Sequence, residues 1–236
     1  MKNIAIIIPT YNEKENIFKL TNKILKILPK CHIYIIDDTK NLDLSKFFTK
    51  RKITYVLRKN KKGRGSAVLY GFKKALTNKK NKIFVEMDAD FSHNPNELKK
   101  KLKYFMKNKI DLLIASRYLK ESKIYNWSIF RLIFSKISNI LAKILLNVDV
   151  SDYTNGYRIY SKKSVKLISN KCGKIGDGFI VLSEILLTIK LHNYKIREMP
   201  TIFVNRKRGE SSVNFKLILQ SLLGLIHLYL IKIKNI

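Results

Sequence analysis

The stretch Ile83-Phe84-Val85-Glu86-Met87-Asp88-Ala89-Asp90-Phe91-Ser92-His93-Asn94-Pro95 restricts most strongly what this chain can fold into. Its apolar, β-branched start predicts a strand over 83–87. The run ends abruptly in two carboxylates one residue apart, then a polar turn with Pro95 at the expected first position of a helix. In an open α/β sheet, ligands sit outside the carboxyl ends of the strands, so Asp88 and Asp90 mark where a site is expected. On extended backbone the i and i+2 side chains point to one side, and two like charges there require a cation between them. Hard oxygen ligands of this kind suit Mg²⁺ or Mn²⁺, with water and substrate phosphates completing the shell. Taken alone, the same residues also describe a solvated pair capping the next helix through Ser92 or Asn94.

The neighbouring segments favour the site. Strands are predicted near 4–8, 33–37, 53–57 and 110–115, with helices near 14–28, 65–77 and 95–107. Near-continuous apolar strands alternating with amphipathic helices specify an α/β fold with a mostly parallel central sheet covered by helices on both faces. The 236 residues suffice for one substantial core, and no repeat or low-complexity linker divides them. Two further strand ends bring polar residues to the same edge, Pro9-Thr10-Tyr11-Asn12-Glu13 and Asp37-Asp38-Thr39. Tyr11 is suited to stack on a base; Thr10 or Asn12 is the expected cap of the first helix. Lys62-Gly63-Arg64-Gly65-Ser66-Ala67 opens another helix, where glycines permit close backbone approach to a ligand and the basic helix N-terminus favours anions. Its spacing matches neither G-x-G-x-x-G nor a P-loop.

The formal net charge of +31 points to a polyanionic partner: nucleic acid, an anionic membrane surface or a phosphorylated substrate. Only nine of the 48 basic residues are Arg, so the positions of those nine are more informative than the total. A nucleic-acid-binding stripe would interleave bases with aromatics, whereas the signals here are acidic strand ends, so nucleic acid is the disfavoured partner. Cys31 and Cys172 lack metal-ligand spacing and read as buried small hydrophobes of a reducing compartment. Met1-Lys2-Asn3 runs directly into the first strand, so no signal peptide is read.

In the second half, Arg117 follows the strand near 110–115 and shares its edge. Over 128–147 the apolar Phe130, Ile133, Phe134, Ile137, Leu141, Ile144 and Leu145 recur at helical spacing, and Arg131 and Ser135 share a face. This helix reads either as a core helix with snorkelling bases or as a membrane-interface helix. A helix near 178–192 and strand-like pieces near 194–204 precede the basic loop Asn205-Arg206-Lys207-Arg208-Gly209-Glu210-Ser211-Ser212. Residues 213–236 are strongly apolar but interrupted by Lys216, Gln220, His227, Lys232 and Lys234. They predict an amphipathic interfacial helix rather than a membrane span, after a main domain over 1–212.

Together, Pro9-Thr10-Tyr11-Asn12-Glu13, Asp37-Asp38, Lys62-Gly63-Arg64-Gly65-Ser66-Ala67 and Met87-Asp88-Ala89-Asp90-Phe91-Ser92-His93 resemble the inverting family-two glycosyltransferases of glycosyltransferase-A fold, and among them the dolichol-phosphate (polyprenol-phosphate) mannosyltransferases. The resemblance continues through Ala115-Ser116-Arg117-Tyr118, Trp127, Arg131 to Ser135, Ser151-Asp152-Tyr153-Thr154-Asn155-Gly156-Tyr157-Arg158, and Arg206 with Gly209-Glu210-Ser211. It implies that Pro9, Tyr11, Glu13, Ile36, Asp38, Lys62, Gly63, Asp88, Ala89, Asp90 and Arg206 hold the nucleotide-sugar donor. Asp88 and Asp90 become its D-x-D metal motif for Mg²⁺ or Mn²⁺, with Ser92 standing where the family often has Gln. Arg117, Arg131 and Ser135 fall where the family grips the phosphate of a lipid acceptor, and the Arg206 loop closes over the diphosphate. Asp90, Arg117, Arg131 and Arg206 are the expected catalytic residues.

The implied activity is transfer of mannose from GDP-mannose to a polyprenyl phosphate with inversion, by a peripheral protein on the cytoplasmic face of a membrane, with a small membrane subunit as a further expected partner. An alternative is transfer from UDP-glucose or another UDP-sugar to lipid phosphate or to a polysaccharide hydroxyl. The Asp37-Asp38 motif departs from the family's usual Ser and Gly-containing continuation, which leaves the base open.

Overall fold

The computed structural model describes residues 1–40, 42–48, 52–59, 63–205 and 215–234, the last from Ser221 onward with side chains. Lys62, Arg206 and the remainder of the 206–212 loop therefore lie outside the described residues.

Strand β1 (Ile4–Thr10) is buried along its whole length, which explains its unbroken apolar sequence: both of its faces are covered. Parallel to it lie β2 (His32–Asp37) on one side and β4 (Ile83–Glu86) on the other, with β3 (Ile53–Leu57) beyond β2. The sheet has seven strands in the order β3-β2-β1-β4-β7-β5-β8, completed by β5 (Leu112–Ser116), β7 (Arg158–Ser161) and β8 (Ile196–Pro200). Helices α2 (Arg64–Leu76), α5 (Lys162–Lys171) and α6 (Ile180–Leu191) bury one face around Ile7, Phe72, Phe84 and Ile185. On the other face α1 (Lys14–Ile27) and α3 (Leu98–Lys107) contribute Leu20, Ile24 and Leu102 against Ile6, Ile35 and Val85.

The expected mostly parallel sheet is therefore present, with one strand reversed. β7 runs antiparallel between β4 and β5, and neither it nor α5 is expected from the sequence. Its first residue, Arg158, hides it: a fully buried guanidinium is tolerated in mid-sheet because it donates to the carbonyls of Tyr153, Asn155 and Leu182 at 2.7–2.8 Å. A small second sheet pairs β6 (Lys123–Tyr125) with β9 (Ile202–Val204), and Phe203 of β9 bridges to His93.

Two local expectations are corrected. β4 stops at Glu86, so Asp88 and Asp90 lie beyond the strand, where the chain bends from Ala89 and Phe91 takes a left-handed backbone (φ 62°). The first helix has no side-chain cap: Asn12 is left-handed (φ 58°) and its N–H donates instead to Thr39 Oγ1 at 2.8 Å. Asn94, by contrast, does cap the turn that begins at Pro95.

α4 (Ile129–Leu146) and α7 (Phe215–Lys234) pack on each other, and α7 also packs on α6. Leu225 and Leu228 of α7 enter the core.

Gly71 lets α2 lie directly on β1, since a Cβ there would meet Ile7 Cγ2 at 2.5 Å. Gly71→Val is expected to destabilise the fold by about 1–3 kcal/mol through overpacking, read as a lower urea midpoint with unchanged m-value.

Candidate active site at the carboxyl edge of the sheet

The ends of β1, β2 and β4 converge, and arginines occupy the carboxylates there. Asp38 receives Arg58 Nε and Nη2, both at 2.6 Å, while Arg58 Nη1 reaches Ser66 Oγ at 2.7 Å. Asp37 is structural, holding Thr39 through its N–H and hydroxyl and accepting from the Tyr55 hydroxyl at 2.8 Å. Tyr11 is exposed beside them, whereas Pro9 is buried within β1. The side chain of Ile36 is wholly inside the core, so only its backbone is available to a ligand. Gly63 is left-handed (φ +93°), and a Cβ on it would lie 2.8 Å from the Asp177 carbonyl oxygen. The close approach made by the glycine loop is thus to Asp177-Gly178, and the Ser66 N–H donates to that carbonyl at 3.2 Å.

Arg64 faces carboxylates rather than an incoming anion. Its Nε and Nη2 donate to Asp88 Oδ1 at 2.9 and 2.7 Å, and Nη1 donates to Glu86 Oε1 at 2.7 Å. Glu86 is fully buried, with Tyr160 donating to its other oxygen at 2.7 Å. Burial alone would disfavour the Arg64 cation, but Asp88 and Glu86 outweigh it and raise its pKa above the usual value. Gly156 makes the arrangement possible: a Cβ there would collide with Arg64 Nη2.

The Asp88 N–H donates to His93 Nδ1 at 3.0 Å, which fixes the imidazole as the Nε2–H tautomer, and Nε2 meets Asn155 Oδ1 at 2.9 Å. His93 is buried and stacked on Tyr157, with ring centroids 5.2 Å apart. Asp90 Oδ1 accepts from the Ser92 N–H at 3.0 Å, closing a tight turn; Ser92 itself is buried, as is Ala89. Among the described residues no three His, Cys, Asp or Glu side chains gather as a metal cage. Two carboxylates in one turn fit a cation such as Mg²⁺ or Mn²⁺ that keeps most of its shell for water and phosphate, and do not fit a closed structural metal.

A second cluster lies at the end of β5. Arg117 is buried and bidentate on Asp152, with Nε–Oδ2 at 2.8 Å and Nη2–Oδ1 at 2.7 Å, and Nη2 also donates to Thr154 Oγ1. Burial opposes the charge on both partners, yet the Arg117 guanidinium holds the Asp152 carboxyl below the usual carboxylate range. Arg131 Nη1 donates to Asn205 Oδ1 at 3.1 Å, and Tyr118 donates to Ser135 Oγ at 2.6 Å. Arg131 and Arg117 lie over the ring of Trp127, their Cζ atoms 4.4 and 5.2 Å from its centroid. The residues expected on the acceptor side are therefore brought together, though Arg117 is held by Asp152 rather than left open at the edge.

The sequence pattern described as "Glycosyl transferase family 2" matches residues 5–168. The chain belongs to glycosyl transferase family 2. It is 35% identical over 230 residues to the dolichol-phosphate mannosyltransferase of Pyrococcus furiosus, covering 93% of this chain and 61% of that protein. To the polyprenol monophosphomannose synthase of Mycolicibacterium smegmatis it is 31% identical over 215 residues, 89% of this chain and 80% of the relative. The chain thus spans less than two thirds of the Pyrococcus protein. Among solved structures, glucosyl-3-phosphoglycerate synthase from Mycobacterium tuberculosis, in complex with Mn²⁺, UDP and glucosyl-3-phosphoglycerate, superposes with a TM-score of 0.66 at 15% identity over 98% of this chain and 80% of that one. That likeness establishes the glycosyltransferase-A type of fold.

Sequence reasoning passes over Arg58, Arg64, His93, Asp152 and Asn155 as partners within the site. The scarcity of Arg in a Lys-rich chain is the available signal: Arg58, Arg64, Arg117, Arg131 and Arg158 all lie at or beneath this edge.

Because Asp152 titrates below its ordinary value of 3.8, its contribution is complete above that pH and is lost as pH falls through the lower folded-state value. Asp152→Asn is therefore expected to cost about 3–5 kcal/mol at neutral pH, the gap to wild type narrowing only below about pH 4 in chemical denaturation. Gly156→Ala is expected to expel the Arg64 guanidinium and to weaken Mn²⁺ binding, measured by titration calorimetry, about as much as Arg64→Gln, on the order of 10-fold or more.

Proposed function

We propose that this chain transfers mannose from GDP-mannose to a polyprenyl phosphate with inversion, giving a β-linked lipid-phosphate sugar. The observation that carries this reading is the pairing of two sites at one sheet edge, the carboxylate turn at Asp88 and Asp90 and the guanidinium cluster of Arg117 and Arg131. The Pyrococcus and Mycolicibacterium relatives, named for mannosyl transfer to dolichol or polyprenol phosphate, support the same choice of donor sugar and acceptor.

The donor nucleoside would lie over Tyr11, Glu13 and the Asp38–Arg58 pair, its diphosphate reaching the Asp88–Asp90 turn. A divalent cation bound by those two carboxylates would neutralise charge on the departing nucleoside diphosphate, as Mn²⁺ accompanies UDP in the mycobacterial synthase. Arg64 fixes Asp88 in one orientation, and His93 holds the backbone of the same turn. Arg117, Arg131 and Ser135 position the acceptor phosphate in line with the anomeric carbon. A phosphate oxygen is already anionic, so it attacks without a general base, and the site needs none. Arg206 and Lys62, outside the described residues, keep the donor-binding roles that the family resemblance implies.

The lipid acceptor calls for a membrane surface. Along α4, Ile129, Phe130, Ile133, Ile137 and Ile144 are exposed, and on α7 so are Leu223, Ile226, Leu230 and Ile233. No helix among the described residues is long and apolar enough to cross a membrane. These faces are read as lying in the interface of an anionic leaflet on the cytoplasmic side, with Lys136 and Lys143 meeting headgroups.

Purified protein given Mn²⁺, a short polyprenyl phosphate and either GDP-mannose or UDP-glucose is expected to label lipid only from GDP-mannose, with a β-anomeric product. Asp90→Asn should lower the rate by about 100-fold or more. Label from UDP-glucose alone would replace the donor, and an α-anomeric product would sink inversion. In flotation with phosphatidylglycerol vesicles, Ile133→Asp with Ile137→Asp should abolish membrane binding and leave the thermal transition unchanged; retained binding would reject the α4 face.

A further inference from the structure

We propose that Trp127 is a further binding residue for the acceptor, its indole N–H donating to an anionic oxygen of the lipid phosphate. This rests on the reading of Arg117 and Arg131 as the acceptor-phosphate site. Trp127 Nε1 is buried and has no hydrogen-bond partner among the described residues, a state shared there only with Ser169 Oγ among buried side-chain N and O atoms. A buried donor without an acceptor is a cost that Phe at the same position would avoid, so the N–H has a use when its acceptor arrives.

The surroundings specify the acceptor as an anion. Arg131 and Arg117 both lie over the indole, 4.4 and 5.2 Å from its centroid, which places two guanidinium groups beside the ring, that of Arg117 already paired with Asp152. Trp127 immediately precedes Ser128, the N-cap of the 18-residue α4, so the positive end of that helix adds to the field. The ring is braced edge-on by Phe203 at 5.3 Å, and Phe203 bridges in turn to His93 of the carboxylate turn. The indole thus sits between the two halves of the site, with its orientation fixed from the donor side. A phosphate monoester has enough oxygens to accept from the indole N–H and both guanidinia together, whereas an uncharged prenol hydroxyl does not.

Trp127 is the only tryptophan in the chain, so the fluorescence of the unaltered protein reports on this ring. Titration with a short polyprenyl phosphate is expected to change the emission saturably, and the same prenol without phosphate to leave it unchanged. Trp127→Phe keeps a ring beneath the arginines and removes the N–H; its KM for lipid phosphate should rise about 10-fold or more, with kcat and the donor KM within about twofold of wild type. Trp127→Leu removes the ring as well and should lower kcat too. If Trp127→Phe keeps the wild-type KM for lipid phosphate, or if the emission responds equally to prenol, the proposal is overturned while transfer by the wild type leaves the acceptor reading intact. Failure of the wild type to use any polyprenyl phosphate overturns both.

Discussion

The site depends on pairing carboxylates with guanidinium groups at the buried edge of a sheet. Acids gathered there lose solvation on burial, a cost that hydrogen bonds offset at Asp37 and a paired cation offsets at Asp38, Asp88 and Asp152. The chain answers three times with arginine, whose planar fork meets a carboxylate with two donors: Arg58 on Asp38, Arg64 on Asp88 and Glu86, and Arg117 on Asp152. Lysine is far more abundant in the chain and appears in none of these pairs. A point charge on a flexible stem cannot span two carboxylates as Arg64 does.

These pairs also connect the parts of the site. Arg58 links the end of β2 to the glycine loop through Ser66 and Gly63. Arg64 links that loop to the end of β4 across Gly156. From there His93 passes to Asn155, whose amide donates to the Ala115 carbonyl at the end of β5, one residue from Ser116 and two from Arg117. The carboxylate turn at Asp88 and the end of β5 before Arg117 are thus joined by a polar path through the segment that leads into the antiparallel β7. For a reaction between a diphosphate donor and a phosphate acceptor, such a path lets the two anionic groups be held at a fixed separation.

The two apolar helices follow the same division of labour. α4 begins beside Trp127 and carries Arg131 and Ser135 on the face turned toward Tyr118 and Asn205, while its other face exposes Phe130, Ile137 and Ile144. α7 covers α6 with Leu225 and Leu228 and exposes Leu223 and Ile226. One side of each helix therefore packs on the protein, and the other is left apolar and exposed.

The amino-acid sequence by itself determined the α/β class, the strands β1 to β5, the convergence of Tyr11, Asp38, Asp88 and Asp90 on one edge, and the grouping of Arg117, Arg131 and Ser135. The first three follow from local pattern, hydrophobic runs of strand length, helical periodicity and polar residues at strand ends, whereas the grouping of Arg117 with Arg131 and Ser135 follows from the family resemblance. Only the tertiary structure decided that β7 enters the sheet reversed, because a strand headed by Arg158 shows no apolar signature until its guanidinium finds three carbonyls. Only it decided that Arg64 serves carboxylates and not a phosphate, since Glu86 and Asp88 lie 22 and 24 residues away in the chain. The orphaned N–H of Trp127 belongs to the same class, because whether a donor finds an acceptor is fixed by packing between distant segments and leaves no trace in local sequence.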